Sequence, residues 1–189
     1  MPNIEKALNF YFRAANQNNE FAQFYVGIWH LYIKQDIKKA IYYLACAANQ
    51  KIHEANYLLG VIYHVGKYII PNIEKAVHYY KIASSFNNQF AKNNLGIIFK
   101  NKSFGYEIDK NIGISISYFD EAIRRFNDKL SLYNLAHIYI FKDKNIKRLD
   151  ESLNLLNKSA EQNFPPAYDL LCIALIIKNG FNLESIIEN

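Results

Sequence analysis

Histidine and cysteine are the residues of this chain best suited to chemistry, and their spacing argues against a catalytic or metal site. The chain has five histidines and two cysteines. No two histidines stand on one predicted helix at the spacing that a zinc site requires. The sequence also lacks the HExxH, CxxC, GxSxG and Gly-rich phosphate-loop motifs. We therefore expect no catalytic residue, no metal and no cofactor, and we interpret the chain as a binding protein.

The cysteines and the apolar segments bear on the compartment. Two cysteines are too few for a disulfide framework, which favours a reducing environment. We expect Cys172 to be a buried spacer and Cys46 to occupy a position with no fixed chemistry. Residues 1–5 show no signal-peptide pattern, and the longest apolar run near the end, 170–177, is too short to span a bilayer. These features predict a cytoplasmic protein with no membrane partner.

The charge balance argues against a nucleic-acid partner. The net charge is +5 and the pI is near 9.0, and the basic residues are spread over many helices. A nucleic-acid reader is expected to concentrate such charge on one face. The nearest approach to a cluster is Lys142, Lys144, Lys147 and Arg148, with Asp143 and Asp150 alongside. We interpret it as a solvated turn between two helices.

Two alternating blocks recur along the chain. The A block has a small residue, a large apolar residue four positions on, and a second small residue at the fifth. Its copies are Ala22–Val26–Gly27, Ala55–Leu59–Gly60, Ala91–Leu95–Gly96, Ser131–Leu135–Ala136 and Ala167–Leu171–Cys172. The B block begins at Lys6-Ala7, Lys39-Ala40, Lys75-Ala76, Ile114-Ser115 and Glu151-Ser152. Self-similarity with a period in the thirties predicts a stacked array of helix pairs.

The apolar spacing within the blocks predicts the helices. They are expected at 3–17, 20–32, 36–50, 53–65, 71–86, 89–101, 111–126, 130–141, 147–162 and 166–178, with a short tail helix from 182. These helices divide residues 1–189, as one array, into a half repeat at 3–17, repeats at about 20–50, 53–86, 89–126 and 130–162, and a C-terminal cap at 166–189. The first helix, 3–17, has no A-type partner before it, so its apolar face should be partly unpaired.

Small residues explain how the helices of a pair approach each other. Glycine in a helix costs about 1 kcal/mol relative to alanine, so we expect Gly60 to be offset by close packing on Ala76 or Ala83. We also expect Gly66 to end its helix in the left-handed conformation and Pro71 to lie in the first turn of the next helix.

Residues 55–68 and 72–83 resemble a Sel1-like repeat. That family is related to the tetratricopeptide repeats and has a longer loop between its two helices. Its pattern is a small residue, Leu-Gly, Tyr, a glycine loop, Lys-Ala and a Tyr-rich second helix that ends in Ala. The fourth repeat departs from it with Ala136 for Gly and Ser152 for Ala. The resemblance implies an all-α, right-handed α-solenoid of antiparallel helix pairs, and a non-catalytic adaptor for protein partners.

A binding face follows if each A-type helix is numbered from its first small residue. Positions +2, +6 and +9 fall together, and in tetratricopeptide-like arrays this face lines the concave groove. A mixed aromatic and polar stripe suits an extended or helical peptide. The predicted partner-binding residues are Phe24, Tyr57, His64, Asn93, Lys100 and Tyr133. The alternative for the aromatic ones is that they pack between neighbouring A-type helices.

Other functions remain open at this point. The chain is alternatively a regulatory or targeting segment of a larger signalling polypeptide, for example one associated with a kinase, or, with less support, a hydrolase. The longest loop, Asn101 to Lys110, is either a local binding element or simple drift in loop length.

Overall fold

A computed structural model describes residues 4–101, 111–142 and 146–180. Regular structure in these ranges is helical: α1 (Ile4–Asn16), α2 (Glu20–Trp29), a π-helix (His30–Lys34), α3 (Ile37–Asn49), α4 (His53–Val65), α5 (Ile73–Ser85), α6 (Gln89–Lys100), α7 (Ile112–Phe126), α8 (Lys129–Phe141), α9 (Ile146–Ala160) and α10 (Pro165–Lys178). Even-numbered helices carry the A block and odd-numbered helices the B block. The chain divides into two compact units, Met1–Ala91 (unit 1) and Lys92–Asn189 (unit 2).

The predicted all-α fold of helix pairs is confirmed, and most predicted helix ends agree with the structure to within two residues. Neighbouring helices pack as expected, with α2 on α3, α4 on α5 and α8 on α9. The predicted tail helix from 182 and the loop from Asn101 to Lys110 lie outside the described residues, apart from Asn101. The division into repeats stays a prediction.

The prediction of one uniform helix over 20–32 is wrong at its end. Residues His30–Lys34 form a π-helix, which Gln35 closes with a left-handed backbone at φ 55°. The wider turn is compatible with packing because His30 stays buried and its ring stacks on Tyr43 at a centroid distance of 5.7 Å. Gln35 in turn accepts a hydrogen bond of 3.0 Å from the Tyr68 hydroxyl, which ties the π-helix to the next loop. π-turns of this kind are frequent at functional sites.

Asparagine and aspartate set the helix starts. Six of the described helices begin after an Asn or Asp whose side chain accepts from the backbone N–H three residues on, which satisfies a donor that the helix leaves unpaired. These caps are Asn19, Asp36, Asn72, Asn88, Asn111 and Asp128. At three turns the residue before the cap is an Asn with a positive φ: Asn18, Asn87 and Asn127.

The loop between α4 and α5 shows one confirmed and one wrong prediction. Gly66 ends α4 in the left-handed conformation at φ 61°, as expected. Pro71 is not in the first turn of α5, because Asn72 is the N-cap and the helix begins at Ile73. Pro71 instead packs across the loop, where a Cβ on Gly66 would clash with its ring. The glycine is therefore required both for its backbone conformation and for space.

Each described helix pair closes on one large, fully buried side chain of the B-type helix. These side chains are Leu44, Tyr80, Phe119 and Leu156, each with no exposed surface. They stand four residues after the small residue of the B block, and we call them the knobs. The second small residue of the A block lies opposite each knob. A Cβ on Gly27 would meet Leu44 at 2.8 Å, and one on Gly96 would meet Phe119 at 2.5 Å.

The packing partner of Gly60 is different from the one expected. A Cβ on Gly60 would lie 2.5 Å from the ring of Tyr80, and no atom of Ala76 or Ala83 is among its three nearest neighbours. The two alanines are themselves fully buried. The glycine therefore makes room for an aromatic ring and not for the backbone of the partner helix.

The residue opposite the knob is glycine in the first three pairs, including Gly27 opposite the leucine knob Leu44. In the fourth pair Ala136 stands at that position, and it shares a buried cluster with the leucine knob Leu156. In the third pair the helices approach closely enough for the Ser115 hydroxyl to donate to the Gly96 carbonyl at 2.7 Å. Serine in place of alanine in the B block is thus compensated by a buried hydrogen bond.

A buried ion pair links α6 and α7 in unit 2. The Lys92 side chain is 3% exposed, and its ammonium donates to the Glu121 carboxylate at 2.6 Å. Arg125, which is half exposed, contacts the same carboxylate at 3.2 Å. The hydrogen bond from Lys92 is the largest cause of the lowered pKa of Glu121. The charge of Lys92 is tolerated in the interior because this carboxylate compensates it.

The prediction for Cys172 is wrong. Cys172 is exposed, and Cys46 is partly buried. α10 packs on α8 and α9 through Ala167, Leu170 and Ala174, and Cys172 lies on a side that these helices leave open. The small-residue pattern continued into α10, but no knob from the described part of the chain faces it.

Gly60→Leu should destabilise unit 1 because it forces a side chain into the space that the Tyr80 ring occupies. We expect a loss of about 3 kcal/mol in the free energy of unfolding by denaturant titration. The matched control is Gly113→Leu, because Gly113 is exposed on α7 and a Cβ there meets only Asn111 Oδ1, at 3.5 Å. The control should stay within about 0.5 kcal/mol of the parent.

A double-mutant cycle tests whether the cost of Gly60→Ala depends on the knob Tyr80. Gly60→Ala should cost less in the Tyr80→Leu background than in the parent, because alanine against leucine is the combination found at Ala136 and Leu156. Equal costs in the two backgrounds would show that the knob and the opposing residue are independent.

Glu121→Gln should destabilise unit 2 by about 2 kcal/mol at pH 7, because it leaves the Lys92 charge buried and unpaired. The value is below that of a fully buried pair because a third of the Glu121 side chain reaches water. Arg125→Gln is the control and should change stability by about 0.5 kcal/mol or less, as exposed pairs do.

The pH dependence has a definite sign. The folded-state pKa of Glu121 is lowered. The ionised Glu121 carboxylate therefore contributes fully to the free energy of unfolding above the unfolded pKa of 4.5, and this contribution is lost as the pH falls below that value. Glu121→Gln should flatten that acid limb, and Lys92→Met added to it should restore stability. A variant that stays unstable after the addition would contradict a cost due to an unpaired charge.

Candidate binding surfaces

The three predicted site residues of unit 1 are partly buried on its A-type helices. Phe24 of α2 packs against the buried cluster that Leu44 and Leu59 belong to. Tyr57 of α4 lies between two rings, 6.1 Å from Tyr80 and 5.9 Å from Phe90. Phe24 and Tyr57 therefore make packing contacts between helices, which agrees with the alternative interpretation of the aromatic residues. Part of each side chain remains accessible to solvent.

His64 lies in the last turn of α4, on the same face as Tyr57. Its Nδ1 lies 3.4 Å from the Tyr80 hydroxyl, and the two rings meet edge to face with centroids 5.9 Å apart. Burial lowers the pKa of His64 below its usual value of 6.5. At neutral pH the ring is therefore an uncharged hydrogen-bonding group that fixes the knob Tyr80.

An apolar cavity of about 210 Å³ opens beside this face in unit 1. It is formed by the π-helix, the start of α3, the C-terminal half of α4 and the loop after α4. Its lining consists of Leu31, Tyr32, Gln35, Ile37, Val61, Ile62, Val65, Lys67, Tyr68 and Ile69. Leu31 and Val61 are the +9 and +6 positions of their helices, so the cavity continues the stripe that the sequence predicted.

The rim of this cavity is apolar and accessible. The exposed fractions are 60% for Tyr32, 62% for Val65 and 47% for Tyr68. The rim is also ordered by contacts of its own: the Tyr68 hydroxyl bonds Gln35, and the Lys67 ammonium lies 5.0 Å from the centroid of the Tyr68 ring. Exposed large apolar side chains gathered around a concavity indicate a binding site more than scattered ones do.

In unit 2 the structure brings Asn93 and Lys100 together through a residue that the prediction omitted. The Asn134 side chain of α8 donates from Nδ2 to Asn93 Oδ1 at 3.4 Å and accepts from Lys100 Nζ at 3.2 Å. Asn93 is 5% exposed and Asn134 is 9% exposed. Asn93 is thus a buried support for the network and less accessible than a groove residue was expected to be, because Asn134 covers it.

Positive charge accumulates around Asn134. Partial burial, and then the charge of Lys142, lower the pKa of Lys100. Burial, followed by the charges of Lys100 and Lys142, lowers the pKa of His137 from 6.5 to about 4. The two lysines and the histidine therefore lie close together, and His137 is neutral at physiological pH. Lys142 itself is exposed.

Tyr133 stands next to this network. Its ring lies 5.5 Å from Phe164 and 6.4 Å from His137, and it packs against the buried cluster around Leu156. Tyr133 is partly buried, so it repeats the situation of Tyr57 in unit 1: a seam aromatic with one accessible part.

Sequence reasoning missed Asn134, and a signal for it existed. Asn134 is an amide inside the apolar run from Leu130 to Phe141, where nothing but a buried polar partner explains it. The cavity in unit 1 had no comparable signal, because its shape depends on the π-helix and on the loop after α4. The basic turn predicted as solvated is described only in part: Lys144 and the Lys147 side chain lie outside the described residues, and Arg148 lies over the Tyr139 ring at 4.4 Å.

Neither a metal site nor a membrane span is found where the structure is described. No three His, Cys, Asp or Glu side chains of residues 4–101, 111–142 and 146–180 are grouped so that they hold a metal ion. Within the same ranges, no helix combines the length and the apolar character needed to cross a bilayer.

Comparisons with known proteins agree with this architecture. A curated relative is the putative Sel1-like repeat-containing protein L21 of Acanthamoeba polyphaga mimivirus, which is 31% identical over 96 residues. That alignment spans 51% of this chain and 17% of the viral protein.

Two solved structures share the fold. One is a protective antigen present in uropathogenic Escherichia coli strains that displays an SLR fold: its TM-score is 0.80 at 20% identity, over 93% of this chain and 37% of the antigen. The other is a Sel1 repeat protein from Oxalobacter formigenes, with a TM-score of 0.70 at 19% identity, over 86% of this chain and 66% of that protein.

The family model described as Sel1 repeat matches residues 1–19, 21–51, 53–85 and 129–164, which together make up more than half of the sequence. The unmatched residues include α6, α7 and α10. The chain belongs to the Sel1 repeat family.

Proposed function

We propose that this protein is a non-catalytic scaffold that binds a peptide segment of a protein partner on the face formed by positions +2, +6 and +9 of its A-type helices. The Sel1 repeat is a protein–protein interaction scaffold type, and its family is generally non-enzymatic. The observation that carries the proposal for this chain is the apolar cavity of unit 1. Ligand sites are typically concave and mostly apolar, with a few polar groups that fix orientation.

The size of the cavity selects the kind of ligand. A volume of about 210 Å³ is below the roughly 300–1,000 Å³ of sites for whole small molecules, and it is enough for one large apolar side chain. Gln35, whose amide is held by Tyr68, and the Lys67 ammonium are the polar groups at the edge. A peptide that inserts a leucine, methionine or phenylalanine there, with its backbone lying across the rim, fits these features.

The six predicted contact residues keep different roles in this proposal. Tyr57 and Tyr133 offer the accessible parts of seam aromatics, and Phe24 contributes at the edge of the core. His64 supports the face through Tyr80, and Lys100 contributes charge in unit 2. Asn93 acts through Asn134 and is not a direct contact, since it is buried.

The free cysteines support a cytoplasmic location for this scaffold. Cys46 and Cys172 are unpaired and more than 100 residues apart in sequence, and an exposed thiol such as Cys172 persists best in a reducing compartment. Oxidation of Cys172 on purification in the absence of reductant would be in keeping with that location.

Replacing the two most exposed rim residues tests the cavity. Tyr32→Gln/Val65→Gln should weaken binding of peptides selected on the parent protein from a displayed random library. Loss of the apolar contact from two side chains corresponds to about 2 kcal/mol, or at least roughly tenfold in Kd, measured by fluorescence anisotropy. The matched control is Ile33→Gln/Ile70→Gln, because these side chains are 69% and 87% exposed and do not line the cavity.

Two results would refute the proposal. One is that no library peptide binds the parent above background. The other is that the rim variant and the control lose affinity equally, which would indicate nonspecific apolar adsorption. Both variants replace exposed side chains, so thermal unfolding should stay within about 0.5 kcal/mol of the parent.

A further inference from the structure

The network around Asn134 in unit 2 has a chemistry that apolar peptide anchoring does not use. It joins two helices: Asn93 and Lys100 are on α6, and Asn134 and His137 are on α8. Lys142 follows the end of α8 as its C-cap. The hydrogen bonds at 3.2 and 3.4 Å fix both ends of the Asn134 amide, so the position of Lys100 Nζ is fixed as well.

The charge of this network is uncompensated among the described residues. Neither Lys100 nor Lys142 forms an ion pair with a carboxylate in the part of the chain that the structure describes. Lys100 uses one of its three N–H donors on Asn134, which leaves two for another acceptor. Burial is the largest cause of the lowered pKa of Lys100 and of His137, and the positive charge of neighbouring lysines adds to it in both cases.

We propose that Lys100, Lys142 and Asn134 bind a carboxylate group of the partner peptide. The inference rests on the proposed function and names the chemistry of a separate contact in unit 2. A carboxylate accepts charge-assisted hydrogen bonds from both ammonium groups, and it removes the mutual repulsion that Lys100 and Lys142 now show. The group is supplied either by an Asp or Glu side chain or by the C-terminus of the peptide.

The position of the lysines favours a single negative charge over a phosphate. Lys100 ends α6, and Lys142 caps α8, so both stand where a helix presents its unpaired carbonyls and negative dipole end. Recognition of doubly charged phosphate generally uses helix N-termini or arginine forks. The group at this site has two lysines, a neutral amide and a histidine that stays neutral down to a pH of about 4.

The neighbouring aromatic residues give the site an apolar side. His137 lies 4.7 Å from the ring of Phe141 and 6.4 Å from that of Tyr133. The partner residue beside the carboxylate is therefore expected to be apolar or aromatic. The site is built entirely from unit 2, and the cavity is built entirely from unit 1, so each contact is testable without the other.

The test uses four pools of degenerate nine-residue peptides passed over the immobilised full-length protein. One pool has a fixed central Glu and an amidated end, and a second has Gln with a free C-terminal carboxylate. A third has Gln with an amidated end, and a fourth has phosphoserine with an amidated end. We expect the first or the second pool to be retained at least about fivefold over the third, and which of the two is retained identifies the source of the carboxylate.

The variant Lys100→Met/Lys142→Met should abolish that preference. The control Lys81→Met/Lys158→Met removes the same charge from exposed positions on α5 and α9, and it should keep the preference. A preference lost in both would be general charge attraction and would overturn the site. Stronger retention of the phosphoserine pool than of either carboxylate pool would also overturn it.

Asn134→Asp provides a second, independent variant. The new carboxylate is almost the same size as the amide, lies beside Lys100 Nζ and should fill the role of the ligand from within. We expect the folded variant to lose the carboxylate preference and the pKa of His137, followed by NMR, to rise above about 4. In the parent, saturation with the retained pool should raise the same pKa. An unchanged His137 titration in both cases would contradict the proposal.

The outcomes separate this inference from the proposed function. If the third pool binds as well as the others and only the rim variant Tyr32→Gln/Val65→Gln weakens it, the scaffold proposal stands and the carboxylate site is wrong. If the rim variant keeps the full carboxylate preference, the carboxylate site is supported and the cavity does not contribute to that preference. If no pool binds the parent, both proposals fail.

Discussion

The fit of one large side chain of a B-type helix against one small residue of the preceding A-type helix is the interaction on which the rest of the structure depends. Four side chains of three residue types fill this role, and all are fully buried: Leu44, Tyr80, Phe119 and Leu156. Because the opposing residue has no Cβ, or only a methyl group, the two helix axes come close enough for a single layer of side chains to fill the space between them. Glycine loses helix propensity at these positions, and the buried knob restores more than that loss. The position of every residue on the outer face follows from this spacing.

Close pairing also determines which polar groups are tolerated inside. Ser115 reaches the Gly96 carbonyl, and Lys92 reaches Glu121, only because α6 and α7 are held near each other. Each buried polar group in these examples has its partner on the other helix of the pair. The polar interior of unit 2 is therefore a consequence of the packing and not a separate source of specificity.

Much of the fold could be predicted from the sequence, because its signals are local. Caps such as Asn19 and Asn72 and the left-handed Gly66 mark helix ends within a few residues, and the A and B blocks give the order of the pairs. What escaped prediction depends on contacts between segments. One example is the π-helix at His30–Lys34, in which His30 stacks on Tyr43, a residue of the next helix. The Tyr80 ring was not recognised as the partner of Gly60, because the spacing shows that a small residue is needed but not what fills the space.

The candidate sites follow the same division between local and long-range information. The stripe at +2, +6 and +9 was predictable because helix periodicity alone defines it. Whether a residue on the stripe is accessible was not, since Asn93 is covered by Asn134, forty-one positions further on. The cavity in unit 1 needs four segments at once, including the loop that carries Tyr68.

The +9 position shows how one place in the repeat carries different chemistry in successive helices. It is Leu31 in the π-helix after α2, His64 in α4 and Lys100 in α6, and all three side chains are partly buried. Their stems pack against neighbouring helices, and their ends differ in chemistry: an apolar cavity wall, a neutral hydrogen-bonding ring and a cation. The knob stands opposite the +5 position, and the +9 residue of α4, His64, also reaches it through the Tyr80 hydroxyl at 3.4 Å. Sequence variation at +9 therefore changes the chemistry of the surface, and one chain of similar repeats holds an apolar cavity in one unit and a cationic amide network in the other.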